Sequence, residues 1–199
     1  MSGFGARAQA IGAVAIGASA GGVEALSTLL PALPMTLAVP VFVVLHLPRG
    51  RDSLLVEIFG PKCVVPIVEA QDKQPVVPGT VYLAPPDYHL LVDAGPSLAL
   101  SVDDAVHYSR PSIDVLFESA ADVYGGRLLG IILTGGNEDG AAGLEAVRQA
   151  GGLTAVQRPE SAYASLMPAS ALKRGPADFV LTLNEMADGL RLLSGGGTA

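Results

Sequence analysis

Three kinds of side chain in this sequence suit nucleophilic acyl transfer: a hydroxyl at Ser19, an imidazole at His46, and a carboxylate at Glu138 or Asp139. Ser19 lies in Gly17-Ala18-Ser19-Ala20-Gly21-Gly22, directly after the apolar run Ala13-Val14-Ala15-Ile16. Strand, Gly-x-Ser-x-Gly, helix is the order of a nucleophile elbow, a sharp turn that lifts the hydroxyl above a sheet. The same turn aims backbone N–H groups at a developing oxyanion. A serine hydroxyl needs a base to take its proton. A neutral imidazole does this near pH 7, because an unperturbed one titrates at about 6.5. A carboxylate on the far ring nitrogen fixes the tautomer and stabilises the imidazolium. The pattern predicts a serine hydrolase.

The motif alone carries little weight. With 13 Ser and 24 Gly in 199 residues, chance supplies about 0.2 Gly-x-Ser-x-Gly matches. A glycine-rich turn without chemistry and an anion-cradling helix N-terminus compete with it. The dinucleotide pattern G-x-G-x-x-G is not met, because Ser19 stands at the second glycine. Weight comes instead from the elements that must position the three groups.

Apolar runs of strand length alternate with segments of helical period. Strands are predicted over 13–18, 39–46, 63–68, 128–133, 153–156 and 179–183, and helices over 22–30, 53–59, 141–149, 168–173 and 185–193. Ile113, Leu116, Phe117, Ala120, Ala121 and Tyr124 share one face of a further helix, with Ser112 as its N-cap. Between these, Val81 to Leu83, His89 to Val92 and Ser97 to Val102 are short runs punctuated by Gly and Pro, which suggests an antiparallel hairpin. Repeated strand–helix alternation predicts an α/β, doubly wound, mostly parallel sheet with helices on both faces, Rossmann-like in outline, plus that hairpin. Ligands of such sheets bind beyond the carboxyl ends of the strands. Ser19, His46 and Glu138-Asp139 each follow a predicted strand, so one sheet edge would gather all three.

Each group also has a plainer reading. His46 would serve as a core histidine at a strand end, and Asp139 would N-cap the helix that begins near Gly140. His89 is placed to line the same cleft, whereas His107 falls in a polar loop and reads as solvated. Asp114 would favour a helix dipole. Cys63, the single cysteine, reads as a small buried hydrophobe and fits a reducing cytosol. No His/Cys cluster has metal-ligand spacing, so neither metal nor cofactor is expected. The net charge of −7 argues against nucleic acid, which would want a basic stripe. No apolar run approaches the roughly 18 residues of a membrane span, and the N-terminus lacks a secretory pattern. The organisation expected is an extension over 1–12, one domain over 13–193 and a disordered tail over 194–199.

These residues resemble the catalytic domain of the chemotaxis protein-glutamate methylesterases, the CheB family. The resemblance spans about Val14 to Leu193. It rests on Ile16 to Gly22, Leu45-His46, Tyr82 to His89, Arg110 to Asp114, Leu133-Thr134-Gly135 with Asp139 to Gly143, and Met167-Pro168. It implies a Ser-His-Asp triad at Ser19, His46 and Asp139, choosing Asp139 over Glu138. It further implies oxyanion-holding N–H groups at Ala20 in the Ser19 turn and at Gly136. The implied reaction is hydrolysis of glutamate methyl esters, and deamidation of glutamines, on the cytoplasmic domain of chemoreceptors, in the cytoplasm. Three positions depart from the family pattern. Gly136 stands where a methionine is usual, Ala20 where a threonine often follows the serine, and Gln157-Arg158-Pro159-Glu160 replaces a Gln-Asp-Glu-like run. About a dozen residues precede the first predicted strand, fewer than a receiver domain needs. A stand-alone form is therefore expected, with a separate regulator or a methyltransferase partner left open. Two other readings remain: a related serine esterase or amidase with another substrate, and a non-catalytic partner-binding module of a sensory complex.

Overall fold

The computed structural model describes residues 7, 10–47 and 53–193. Most of the expected 1–12 extension and all of the expected 194–199 tail lie outside the described residues. In chain order the elements are β1 (Ala13–Ala18), α1 (Gly22–Leu29), β2 (Val41–Leu45), α2 (Leu55–Phe59), β3 (Ile67–Glu69), β4 (Val81–Leu83), β5 (His89–Asp93), β6 (Ser97–Ser101), α3 (Ile113–Tyr124), β7 (Leu128–Ile132), α4 (Ala141–Gln149), β8 (Leu153–Gln157), α5 (Leu166–Arg174), β9 (Phe179–Leu181) and α6 (Leu183–Leu190).

Seven strands pair in parallel in the order β3-β4-β2-β1-β7-β8-β9. The sheet is covered on both faces, which explains why β1, β2 and β7 read as unbroken apolar runs rather than alternating ones. Alternate residues serve opposite layers. Val14, Ile16, Val41 and Val43 pack with Leu26 and Leu29 of α1, Phe59 of α2 and Leu190 of α6. Ala13, Ala15, Phe42 and Val44 pack with Leu116 and Phe117 of α3, Val147 of α4 and Ala171 of α5. The doubly wound, Rossmann-like expectation therefore holds.

The middle of the chain needs one correction. The hairpin is made by β5 and β6 alone, antiparallel from His89–Ser101 to Asp93–Ser97. Val81 to Leu83 instead joins the parallel sheet between β2 and β3. The Gly/Pro punctuation around it marks entry loops, and its three buried residues pair with two parallel neighbours. The expected 63–68 strand is instead Ile67–Glu69, because residues 63–66 run as an irregular bend after the 3-10 turn at 60–62.

The chain begins at the centre of the sheet, builds one half through β2, β3 and β4, and returns to the other half at β7. The strand order reverses between β1 and β7, the topological switch point beyond whose carboxyl ends such sheets hold ligands.

Candidate active site

Parallel register brings the reactive groups to one level. Gly17 pairs with Val44 and Ile132, and Ala18 with Leu45. The ladder continues one step past the strands: His46 N–H donates to Ala18 O at 3.1 Å, and Ser19 N–H to Thr134 O at 2.9 Å. Ser19 and His46 therefore leave adjacent strands side by side, both partly exposed. The chain turns sharply after Ser19, with Gly22 N–H donating back to Ser19 O at 2.8 Å. Gly21 caps α1 in the left-handed region at φ 78°, which favours glycine. Among the described residues the Ser19 hydroxyl has no hydrogen-bond partner. It is partly exposed and uncommitted, and the structure forms no Ser19–His46 side-chain bond. Such bonds are often long in unliganded enzymes and tighten with substrate.

Thr134, at the end of β7, rivets this turn. Its carbonyl accepts Ser19 N–H, while its hydroxyl donates to Ala20 O at 2.8 Å and accepts Ala164 N–H at 2.8 Å. Its own N–H donates to the buried Gln157 side chain at 2.9 Å. The N–H groups of Ala20 and Gly136, the two oxyanion candidates, have no acceptor among the described residues, and Gly136 is exposed. Both are available to an incoming oxygen.

His46 Nε2 lies 2.8 Å from Asp139 Oδ2. Asp139 is fully buried and accepts three more hydrogen bonds. Ser112 Oγ donates to Oδ1 at 2.8 Å, Asp114 N–H to Oδ1 at 3.1 Å and Ile113 N–H to Oδ2 at 2.7 Å. These donors are the cap and first turn of α3. Asp139 therefore caps a helix, but not the one expected from its neighbourhood: α4 is capped by Gly140, with no side-chain bond. Burial pushes the Asp139 carboxyl up. The His46 hydrogen bond and the Ile113 and Asp114 N–H groups outweigh it and hold the group below the ordinary carboxylate range. An ionised Asp139 accepts only, so the proton of the pair sits on Nε2, and Nδ1 is the basic nitrogen.

The exchange between the two helices is mutual. Asp114, buried in the first turn of α3, accepts Gly143 N–H of α4 at 2.6 Å. It does more than favour a dipole: it ties α4 to α3 as Asp139 ties α3 to the 135–139 loop. Burial pushes its carboxyl up against that N–H.

Of the remaining histidines, His107 is exposed as expected, and His89 departs from expectation. His89 is buried and does not line the cleft. Its Nδ1 accepts Ser112 N–H at 3.1 Å and its Nε2 donates to Asp104 O at 3.1 Å, so it is a neutral support behind Ser112. His107 is exposed, yet it bridges Asp114 Oδ2 and Glu138 Oε1, each at 3.5 Å. Glu138 points out to it, and Asp139 is the carboxylate that contacts His46. Sequence reasoning missed Thr134 and Ser109, which sits near His46. A polar residue closing the apolar run 128–133 was a usable signal for Thr134. Nothing local marks Ser109.

A buried carboxylate on imidazole, beside a hydroxyl on a sharp turn with free N–H groups, suits acyl transfer through a tetrahedral intermediate. Comparison with known proteins points the same way. The sequence pattern of the CheB methylesterase family matches residues 14–190. A protein of Leptospira interrogans is 44% identical over 176 residues, 88% of this chain and 91% of its own length. The protein-glutamate methylesterase/protein-glutamine glutaminase of Chromohalobacter salexigens is 40% identical over 176 residues, 87% of this chain and 49% of its own. The crystal structure of the Thermotoga maritima CheB methylesterase catalytic domain superposes with a TM-score of 0.88 at 33% identity, covering 92% of this chain and 98% of that one.

Proposed function

The chain belongs to the CheB methylesterase family, and from that premise we propose that it is a protein-glutamate methylesterase and protein-glutamine glutaminase acting on the cytoplasmic domain of chemoreceptors. The observation that carries the reading is the 2.8 Å His46–Asp139 pair beside Ser19 at the switch point of the sheet. Ser19 Oγ attacks the side-chain ester carbonyl while its proton passes to His46 Nδ1. The carbonyl oxygen becomes an oxyanion held by the N–H groups of Ala20 and Gly136. Collapse expels methoxide, which takes the proton from His46 and leaves as methanol. Water, deprotonated by His46, then cleaves the acyl-serine to a glutamate carboxylate. With glutamine the same steps release ammonia. Asp139, ionised throughout, holds Nε2–H and stabilises the imidazolium.

The domain spans about residues 13–193. The protein works in the cytoplasm, where receptor cytoplasmic domains lie. No described helix is long and apolar enough to cross a membrane. The test is methanol release from a methyl-esterified chemoreceptor fragment and ammonia release from its glutamine form, beside hydrolysis of a small generic ester. Release from the receptor fragment is the expected result. Hydrolysis of the small ester alone would shift the reading to another esterase or amidase.

A further inference from the structure

The basic nitrogen of His46 has a neighbour that the reaction above does not use. Ser109 Oγ lies 3.4 Å from His46 Nδ1. The same hydroxyl is 3.4 Å from the His107 carbonyl, and Asn137 Nδ2 donates to it at 3.4 Å. We propose that Ser109 is a positioning residue for His46, holding Nδ1 in place in both of its protonation states. The proposal rests on the serine hydrolase reading above.

The chemistry follows from the hydroxyl's inventory: one proton to donate and lone pairs to accept. In the resting site the Ser109 proton points at bare Nδ1 and fixes the ring. As Ser19 engages that single lone pair, the Ser109 hydroxyl turns its own proton to the His107 carbonyl, and its oxygen then shares Nδ1–H with the leaving group. Asn137 donates into the oxygen in either state. No proton leaves Ser109 in this exchange. The contacts are long, so each is modest.

The backbone supports a dedicated purpose for this contact. Val106 and Ser109 exchange both backbone hydrogen bonds, at 3.1 and 2.8 Å, closing a two-residue turn. Its central residues, His107 and Tyr108, lie at φ 48° and 62°. Two left-handed positions make a type I′ turn, usually built from Asn and Gly. Placing His and Tyr there stores strain, and such strain clusters at functional sites. Side-chain anchors oppose it. His107 reaches Asp114 and Glu138, and Arg110 ties the base of the turn to Asp87, Val102 O and Asp103 O. The anchors leave Ser109 facing His46.

The test is the rate at which a fluorophosphonate modifies Ser19, read by intact mass, in wild type, Ser109→Ala and Ser109→Thr, alongside kcat and KM on p-nitrophenyl acetate. Loss of one modest hydrogen bond predicts that Ser109→Ala slows both modification and kcat by about three- to tenfold, with KM unchanged. Ser109→Thr, which keeps the hydroxyl, restores wild-type rates. A Ser109→Ala protein that reacts as fast as wild type, or faster, overturns the proposal. So does a loss that threonine fails to restore. A wild type that is not modified at all overturns the hydrolase reading itself, and this inference with it.

Discussion

The two halves of the site are built by opposite means. The nucleophile side is made of backbone. Ser19 is placed by its own N–H and C=O, by the left-handed Gly21 and by the Thr134 carbonyl, while its side chain touches no hydrogen-bonding group among the described residues. The base side is made of side chains and a helix end. Asp139 is buried, with four donors on its two oxygens, and His46 is oriented through it. The first construction leaves the reactive atom free of the fold. The second makes the proposed catalytic carboxylate part of the fold, because α3 and the 135–139 loop meet through it. Catalysis should therefore separate from stability on one side and not on the other.

The largest effect expected is that of Ser19→Ala. Its rate should fall on the order of 10⁶-fold, while stability stays within about 0.5 kcal/mol of wild type, read by urea unfolding. A strongly destabilised Ser19→Ala would break the contrast. Asp139→Ala comes next. Its rate should fall on the order of 10⁴-fold. It should also lose roughly 2–4 kcal/mol, because the buried Ile113 and Asp114 N–H groups and the Ser112 hydroxyl lose their acceptor.

The pH dependence of that stability difference sharpens the test. Asp139 titrates lower in the folded protein than in the unfolded chain. Its contribution is then fully present above the unfolded value of about 4 and is lost as pH falls through the lower folded value. The gap between wild type and Asp139→Ala should stay constant from pH 7 to about 5 and close only in stronger acid. A gap that closes above pH 5 would mean the carboxylate is not held in its ionised form. The smallest effect is reserved for Gly136→Ala. A Cβ there meets nothing within 4 Å, and only the backbone N–H is invoked. The rate should stay within about twofold of wild type, and a larger loss in a steady-state assay would show that the glycine itself matters.

The same contrast explains what the sequence made legible. Backbone-built geometry leaves local traces. Gly17 and Gly21 are needed where they stand: a Cβ on Gly17 would lie 2.3 Å from Ile113 Cγ2, and Gly21 carries a positive φ. Strand runs and the turn could thus be read within a few residues, and the expected β1 coincides with the observed one. The side-chain cage leaves no such trace. The α3 donors to Asp139 stand 25 to 27 residues away, and His46 stands 93 away. Ser112 was readable as a cap, but nothing near it says which carboxylate the helix end would hold. Local reasoning gave Asp139 to α4, its neighbour in sequence, whereas packing gave it to α3. Likewise His89 sits near a predicted cleft in sequence and behind its wall in space. Val81 to Leu83 is too short to show which sheet it joins, because strand partners are set by the whole topology.

The measurement that tests the central claim most directly is methanol release from a methyl-esterified chemoreceptor fragment by wild type and by folded Ser19→Ala, side by side. Release by wild type alone is the predicted result. Equal release by both proteins would contradict the assignment of Ser19 as nucleophile, and release by neither would contradict the proposed substrate.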